Sequence, residues 1–176
     1  MADSCYIVDT ESHMMGGNGR TYMSQEGEVT KNEVIQQIDR DWQQLISIAK
    51  EFEVASQNLS GAVGHWSVKE TLTHIAIWDG EAVRSIKLYQ DTGEEVDYGA
   101  PEAGDKLNEL QLEDKRALTL EQVWRFLEER HEVLLSHFYT LPDHVFTENT
   151  FTLNTISNNT YSHYREHSKD PQRFKG

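Results

Sequence analysis

The stretch Trp66-Ser-Val-Lys-Glu-Thr-Leu-Thr-His74-Ile-Ala-Ile-Trp78-Asp79 decides how this chain is read. Ser67 and Glu70 stand three apart just before an apolar-periodic run. That is the spacing of a capping box, in which each side chain satisfies a free backbone donor of the other residue. Val68, Leu72, Ile75, Ala76, Val83 and Ile86 then recur every three or four residues. The pattern predicts a helix from about 68 to 90, stopping before Gly93, with one face buried. His74 lies at the edge of that stripe, one turn before Trp78. A histidine there is either a hydrogen-bonded boundary residue or a ligand.

Toward the N-terminus the same signals define an earlier helix. Thr30 and Glu33 have capping-box spacing, and Val34, Ile38, Trp42, Leu45, Ala49 and Phe52 form its stripe. Residues 56 to 64, with Ser, Asn and the glycines Gly61 and Gly64, read as a loop. Residues 1 to 29 carry Met14-Met15-Gly16-Gly17-Asn18-Gly19 without sustained periodicity and are expected to be a loose tail. Cys5 and His13 in that tail make a poor metal site, which needs converging, oriented donors.

Toward the C-terminus, residues 91 to 118 form the longest connection. Asp91-Thr-Gly-Glu-Glu95 and Gly99-Ala-Pro101 are turn chemistry, and Leu107, Leu110 and Leu112 suggest a short helix within 105 to 115. A connection of that length reads as a lid, a binding loop or a plain crossover. Thr119 and Gln122 open a third helix, with Leu120, Val123, Leu127, His131, Leu134 and Phe138 on its inner face. His131 there reads as a core residue or as one that supports a metal ligand from behind. Leu141-Pro142-Asp143 ends the helix, and residues 146 to 154 read as extended chain or loop.

A fourth helix is expected from 154 or 155 to a stop before Pro171. Ile156, Thr160, His163 and His167 share one face, which holds a single aliphatic residue. Imidazoles four apart on a helix reach a shared point. Here they occupy positions where a bundle core would otherwise be. Buried imidazoles need partners, and a metal ion is one economical partner. The fold class is therefore all-α: an up-down four-helix bundle over residues 30 to 170, with a long connection between helices two and three and a tail over 171 to 176.

The 176 residues suit one domain. A formal net charge of −14 and a pI near 4.9 argue against nucleic acid and against an anionic membrane surface as partners. No apolar run approaches a membrane span, the N-terminus lacks a signal-peptide layout, and Cys5 is the only cysteine. A cytoplasmic protein is the expectation. There is no Ser/His/Asp order, and the glycines make no phosphate-binding fingerprint.

Two segments resemble a known group. Trp66 to Asp79 resembles the second-helix signature of the DinB/YfiT-like superfamily of four-helix bundles. Asn159-Thr-Tyr-Ser-His163-Tyr-Arg-Glu-His167 is similar to the fourth-helix motif of its ClbS/DfsB branch. The resemblance implies a divalent metal held by one histidine of the second helix and two of the fourth, hence His74, His163 and His167. Zinc, nickel, iron and manganese all suit imidazole ligands. It also implies a metal-dependent hydrolase or thiol transferase acting on an electrophilic small molecule, in detoxification or self-resistance. The alternative is a non-catalytic protein that binds or sequesters a small molecule, or a dimeric module that has kept only the fold. A small-molecule substrate and, for a homodimer, a second copy of the chain are the expected partners. Trp66, Trp78 and Tyr164 are candidate substrate contacts, with Asp79 and His131 behind the ligands. Against this, both tryptophans suit core packing, and Tyr164 and Asp79 suit a solvent-facing surface. Relatives extend the last helix with apolar residues where this chain has Ser168-Lys-Asp-Pro171, so a short final helix is expected.

Overall fold

The computed structural model describes residues 29–60, 66–99, 101–147 and 150–168. The tail expected over 1 to 29 (Val29 apart), Cys5 and His13 within it, the loop glycines Gly61 and Gly64, and the tail over 171 to 176 lie outside the described residues.

Three helices begin where their capping boxes predict. α1 spans Lys31–Lys50, α2 spans Val68–Thr92, and after α3, Pro101–Glu113, α4 spans Leu120–Thr140. Thr30, Ser67 and Thr119 each accept the backbone N–H three residues on, while Glu33, Glu70 and Gln122 accept the cap's own N–H at 2.7 to 2.8 Å. Each box satisfies donors that a helix start otherwise leaves free. α2 ends at Gly93, whose φ of 76° takes the left-handed turn that lets its N–H reach the Tyr89 carbonyl at 2.8 Å. α5, Thr150–Asn159, and α6, Tyr161–Ser168, complete the chain of helices, with 3-10 turns at Ser56–Asn58 and Asp143–Phe146.

α2 packs on α4, α1 on α6, and α5 on α2, so the bundle's fourth member is α5 continued by α6. The predicted stripes meet in one core: Ile38, Leu72, Ile75, Ile86, Leu127, Leu134, Phe138 and Ile156 are all fully buried. Arg165 of α6 donates to Asp41 of α1 at 2.8 Å, a half-exposed cation on a largely buried carboxylate. The described residues thus form the all-helical bundle expected.

The departures lie in the polar segments. α3 starts at Pro101, earlier than expected, because proline suits the first helical position, where no N–H is needed. Phe52 falls beyond the end of α1 but still packs against the core. The fourth helix starts at Thr150 rather than 154, so the later part of the stretch expected as extended chain or loop over 146 to 154 is helical. Burial of Thr152, Thr155 and Ile156 carries a helix that its threonines and asparagines would not favour alone. That helix is also interrupted. Thr160 Oγ1 donates to the Ile156 carbonyl at 2.6 Å and Asn159 Nδ2 to the Thr155 carbonyl at 2.8 Å. Side chains that bond back to the previous turn bend a helix, and the chain turns at Thr160 before resuming as α6.

Candidate metal centre

α2 contributes His74 and α6 contributes His163 and His167. The three come together. His163 Nε2 lies 2.9 Å from His74 Nε2 and 3.1 Å from His167 Nε2, and one nitrogen of each ring lies within 4.8 Å of the others. The three residues are 1%, 6% and 7% exposed, so water does not solvate them freely.

This geometry is awkward for protons alone. A neutral imidazole carries one N–H and one acceptor nitrogen, and the same Nε2 of His163 faces two neighbours. As donor it can serve one of them; as acceptor it offers a single in-plane lone pair. A cation at the shared point removes the conflict, because all three nitrogens then act as lone-pair donors. Ligands about 2.0–2.1 Å from a tetrahedral ion stand about 3.3 Å apart, close to what the rings already adopt. Burial lowers all three pKa values. Burial and then the neighbouring His163 and His167 push His74 well below 6.5. Burial and then His167 do the same to His163, against a weaker opposing effect of the Asn159 backbone. Burial brings His167 to about 4. Neutral rings are the form a metal needs.

Two tryptophans flank His74. The Trp66 ring lies 4.9 Å away, tilted by 53°, and Trp78 stands edge-on at 6.2 Å from His74 and 6.5 Å from His163. Both predicted contacts therefore wall the triad. Trp66 Nε1 donates to Glu109 Oε1 at 2.8 Å and Trp78 Nε1 to Asn108 Oδ1 at 3.0 Å. Sequence reasoning missed Asn108 and Glu109. Their one signal was an asparagine and a glutamate lying in the polar gap between Leu107 and Leu110.

The other three predicted residues belong elsewhere. Tyr164 is fully buried and its hydroxyl donates to Asp79 Oδ1, so it is neither a substrate contact nor solvent-facing. Asp79, also fully buried, lies 3.5 Å from His131 Nδ1, whose ring stacks on Trp42 at 3.7 Å and 1°. Among the described residues neither Asp79 nor His131 bonds to a triad imidazole, so both leave the position expected behind the ligands. They form a second buried polar cluster with Tyr164 and Trp42. Burial raises the Asp79 pKa, opposed by His131 and Tyr164; burial, reinforced by Asp79, raises that of Tyr164 well above 10. The sequence did carry a signal for Asp79. It falls in phase with Ile75, Ala76 and Val83 on the buried stripe of α2.

No helix among the described residues is long and apolar enough to cross a membrane. The family model described as the DinB superfamily matches residues 22–162, which include His74 and stop one residue short of His163. Among solved structures, the colibactin self-resistance protein ClbS in complex with a dsDNA is similar over 84% of this chain and 96% of its own, at 15% identity and a TM-score of 0.71. An uncharacterised protein from Escherichia coli UTI89 is similar over 84% of this chain and 91% of its own, at 19% identity and a TM-score of 0.66. Both likenesses are of fold. A search of curated proteins finds no match. The ClbS complex overturns the exclusion of nucleic acid that was argued from net charge. Net charge sums the whole surface, whereas phosphate contacts are made by a few local cations and helix N-termini that the sum does not see.

Proposed function

Because the chain belongs to the DinB superfamily, we propose that it is a divalent-metal-dependent enzyme acting on an electrophilic small molecule, in detoxification or self-resistance. The observation that carries this reading is the convergence of three buried Nε2 atoms that protons cannot jointly satisfy. The self-resistance part rests on the likeness to ClbS.

His74, His163 and His167 would hold the cation, with zinc, nickel, iron and manganese as candidates. When bound, it supplies a Lewis acid and a nucleophile, water or thiol, that is deprotonated near neutral pH. The chain's own residues supply the rest. His74 from one helix and the His163–His167 pair from another would supply the cation with three neutral nitrogen donors. Trp66 and Trp78 shield His74 from water and offer ring faces to an apolar electrophile. The Asp79–Tyr164 hydrogen bond joins α2 to α6 beside the triad.

Metal analysis of protein purified without a histidine tag, followed by electrophile panels with and without thiols, tests the proposal. Stoichiometric metal that is lost in His74→Ala, together with turnover that needs it, is the expected result. A metal-free native protein would overturn it. One observation favours a second reading, sequestration without chemistry: a recess of about 520 Å³ along the α2–α3 seam is lined by none of the triad residues. A compound bound there and released unchanged would establish that reading. Labelled duplex DNA is the third ligand to titrate, carried over from the ClbS complex. Binding that weakens steeply with salt would assign it to phosphate contacts.

A further inference from the structure

The two tryptophans beside His74 are held by consecutive residues of one short helix. Asn108 accepts from Trp78 and Glu109 accepts from Trp66. We propose that α3 is a strap over the histidine site, with Asn108 and Glu109 as positioning residues that keep the tryptophans closed against the imidazoles. The proposal rests on reading the triad as the functional site.

The strap is tied at both ends. At its C-terminal end Arg116 donates to Glu109 at 2.7 Å and to Glu70 of the α2 capping box at 3.3 Å. Lys69 of α2 donates to the Arg116 and Leu118 carbonyls, both at 3.1 Å. Ahead of its N-terminal end, the Tyr98 hydroxyl meets Ser85 at 2.7 Å and the Tyr98 ring lies 5.1 Å from Trp78. Between these ties the seam is not closed. The 520 Å³ recess runs along it, and Leu110 is 55% exposed. Asn108, by contrast, is 4% exposed, a neutral amide buried where it accepts an indole N–H. Polar contacts of this kind exchange for water at small net cost, unlike interlocked apolar packing. Displacing the middle of α3 therefore takes one hydrogen-bond partner from each indole while the ties of Lys69 and Arg116 to α2 remain, the low-cost local opening expected of an access element.

The test uses metal-free full chain and diethylpyrocarbonate, with the modified histidines mapped by peptide mass. In Asn108→Ala/Glu109→Ala, the modification rates of His74 and His163 are expected to rise about tenfold. His131, buried on α4 away from the strap contacts, is the internal control and is expected to hold its rate. Glu109→Gln keeps an indole acceptor while losing the charge paired with Arg116, so it should stay close to wild type, and Asn108→Asp likewise keeps Oδ1. If the double variant does not fold, Glu109→Ala against Glu109→Gln makes the same comparison. Unchanged triad rates, or a parallel rise at His131 that signals general loosening, would overturn the proposal. Because no metal is present, a chain that never binds metal can still pass this test, and failure of the strap leaves the metal assignment standing.

Discussion

His163 and Tyr164 are neighbours in sequence, as are Trp78 and Asp79, yet each pair divides between two buried polar clusters of opposite character. His74, His163 and His167 are three groups of one kind, held 2.9 and 3.1 Å apart without an opposite charge among them. Asp79, Tyr164 and His131 are of different kinds: a carboxylate that accepts, a phenol that donates and an imidazole that can do either. In the second cluster Asp79 Oδ1 and the Tyr164 hydroxyl complete each other, while Asp79 Oδ2 and His131 Nε2 are buried without a hydrogen-bond partner among the described residues. In the first, one nitrogen, His163 Nε2, faces two neighbours of its own kind. Burial is nearly equal in the two, so burial alone does not mark a ligand site. What sets the triad apart is three like nitrogens converging on one point.

The comparison is sharpest in metal content. His163→Ala removes the ring that both other imidazoles face, and metal affinity is expected to fall by about 100-fold or more, since even outer partners of a ligand are worth 10–100-fold. Competition with a chromophoric chelator measures it. Tyr164→Phe, one residue on, should leave that affinity within about threefold; a collapse there would merge the two clusters into one site.

Acid should separate them next. The triad pKa values are lowered on folding, so the unfolded chain binds more protons once the pH drops below 6.5. Stability of the metal-free protein is then full above 6.5 and is lost as the pH falls toward about 4. For His167, that shift amounts to about 2 kcal/mol between pH 7 and pH 5. Asp79, whose pKa is raised, acts in the opposite sense. Urea unfolding of wild type and His167→Ala at both pH values isolates the histidine contribution, and equal pH slopes would count against it.

Tyr164→Phe itself should cost about 2 kcal/mol in urea unfolding at neutral pH, because a buried carboxyl group loses its hydroxyl donor. A neutral outcome would mean that Asp79 is satisfied without it. The smallest effect belongs outside both clusters. Thr119→Ala removes a helix cap and should cost about 1 kcal/mol with metal affinity unchanged, which sets the scale for a purely structural loss.

The bundle was legible because α1, α2 and α4 combine capping boxes with long apolar stripes, and three- and four-residue periodicity survives whatever the tertiary contacts are. His74, His163 and His167 were legible through the four-residue spacing of the last two and the motif around the first. Tyr164 was lost because it lies one residue from His163, about 100° around the helix, and a tyrosine among Ser, Arg and Glu resembles a solvated face. It lies in phase with Ile156, Thr160 and Ser168, all buried, but three of those four carry hydroxyls and do not announce a core. Asn108 and Glu109 were hidden for another reason. Their partners are 30 and 43 residues away, and no local pattern encodes a bond across that distance.

The backbone bonds that pass through Thr160 have a consequence for how this chain can vary. The Thr160 N–H reaches the Ile156 carbonyl at 3.0 Å and the Tyr164 N–H reaches the Thr160 carbonyl at 2.7 Å, so the four-residue step of α5 is handed on to α6 across the turn. The rotation of His163 and His167 is thereby tied to the residues of α5 that face the core. An inserted residue between Ile156 and His163 would swing the histidine pair about 100° around the helix axis. One placed between His163 and His167 would point them apart. Changes of length in this part of the chain are therefore expected ahead of Ile156 and not between it and the pair.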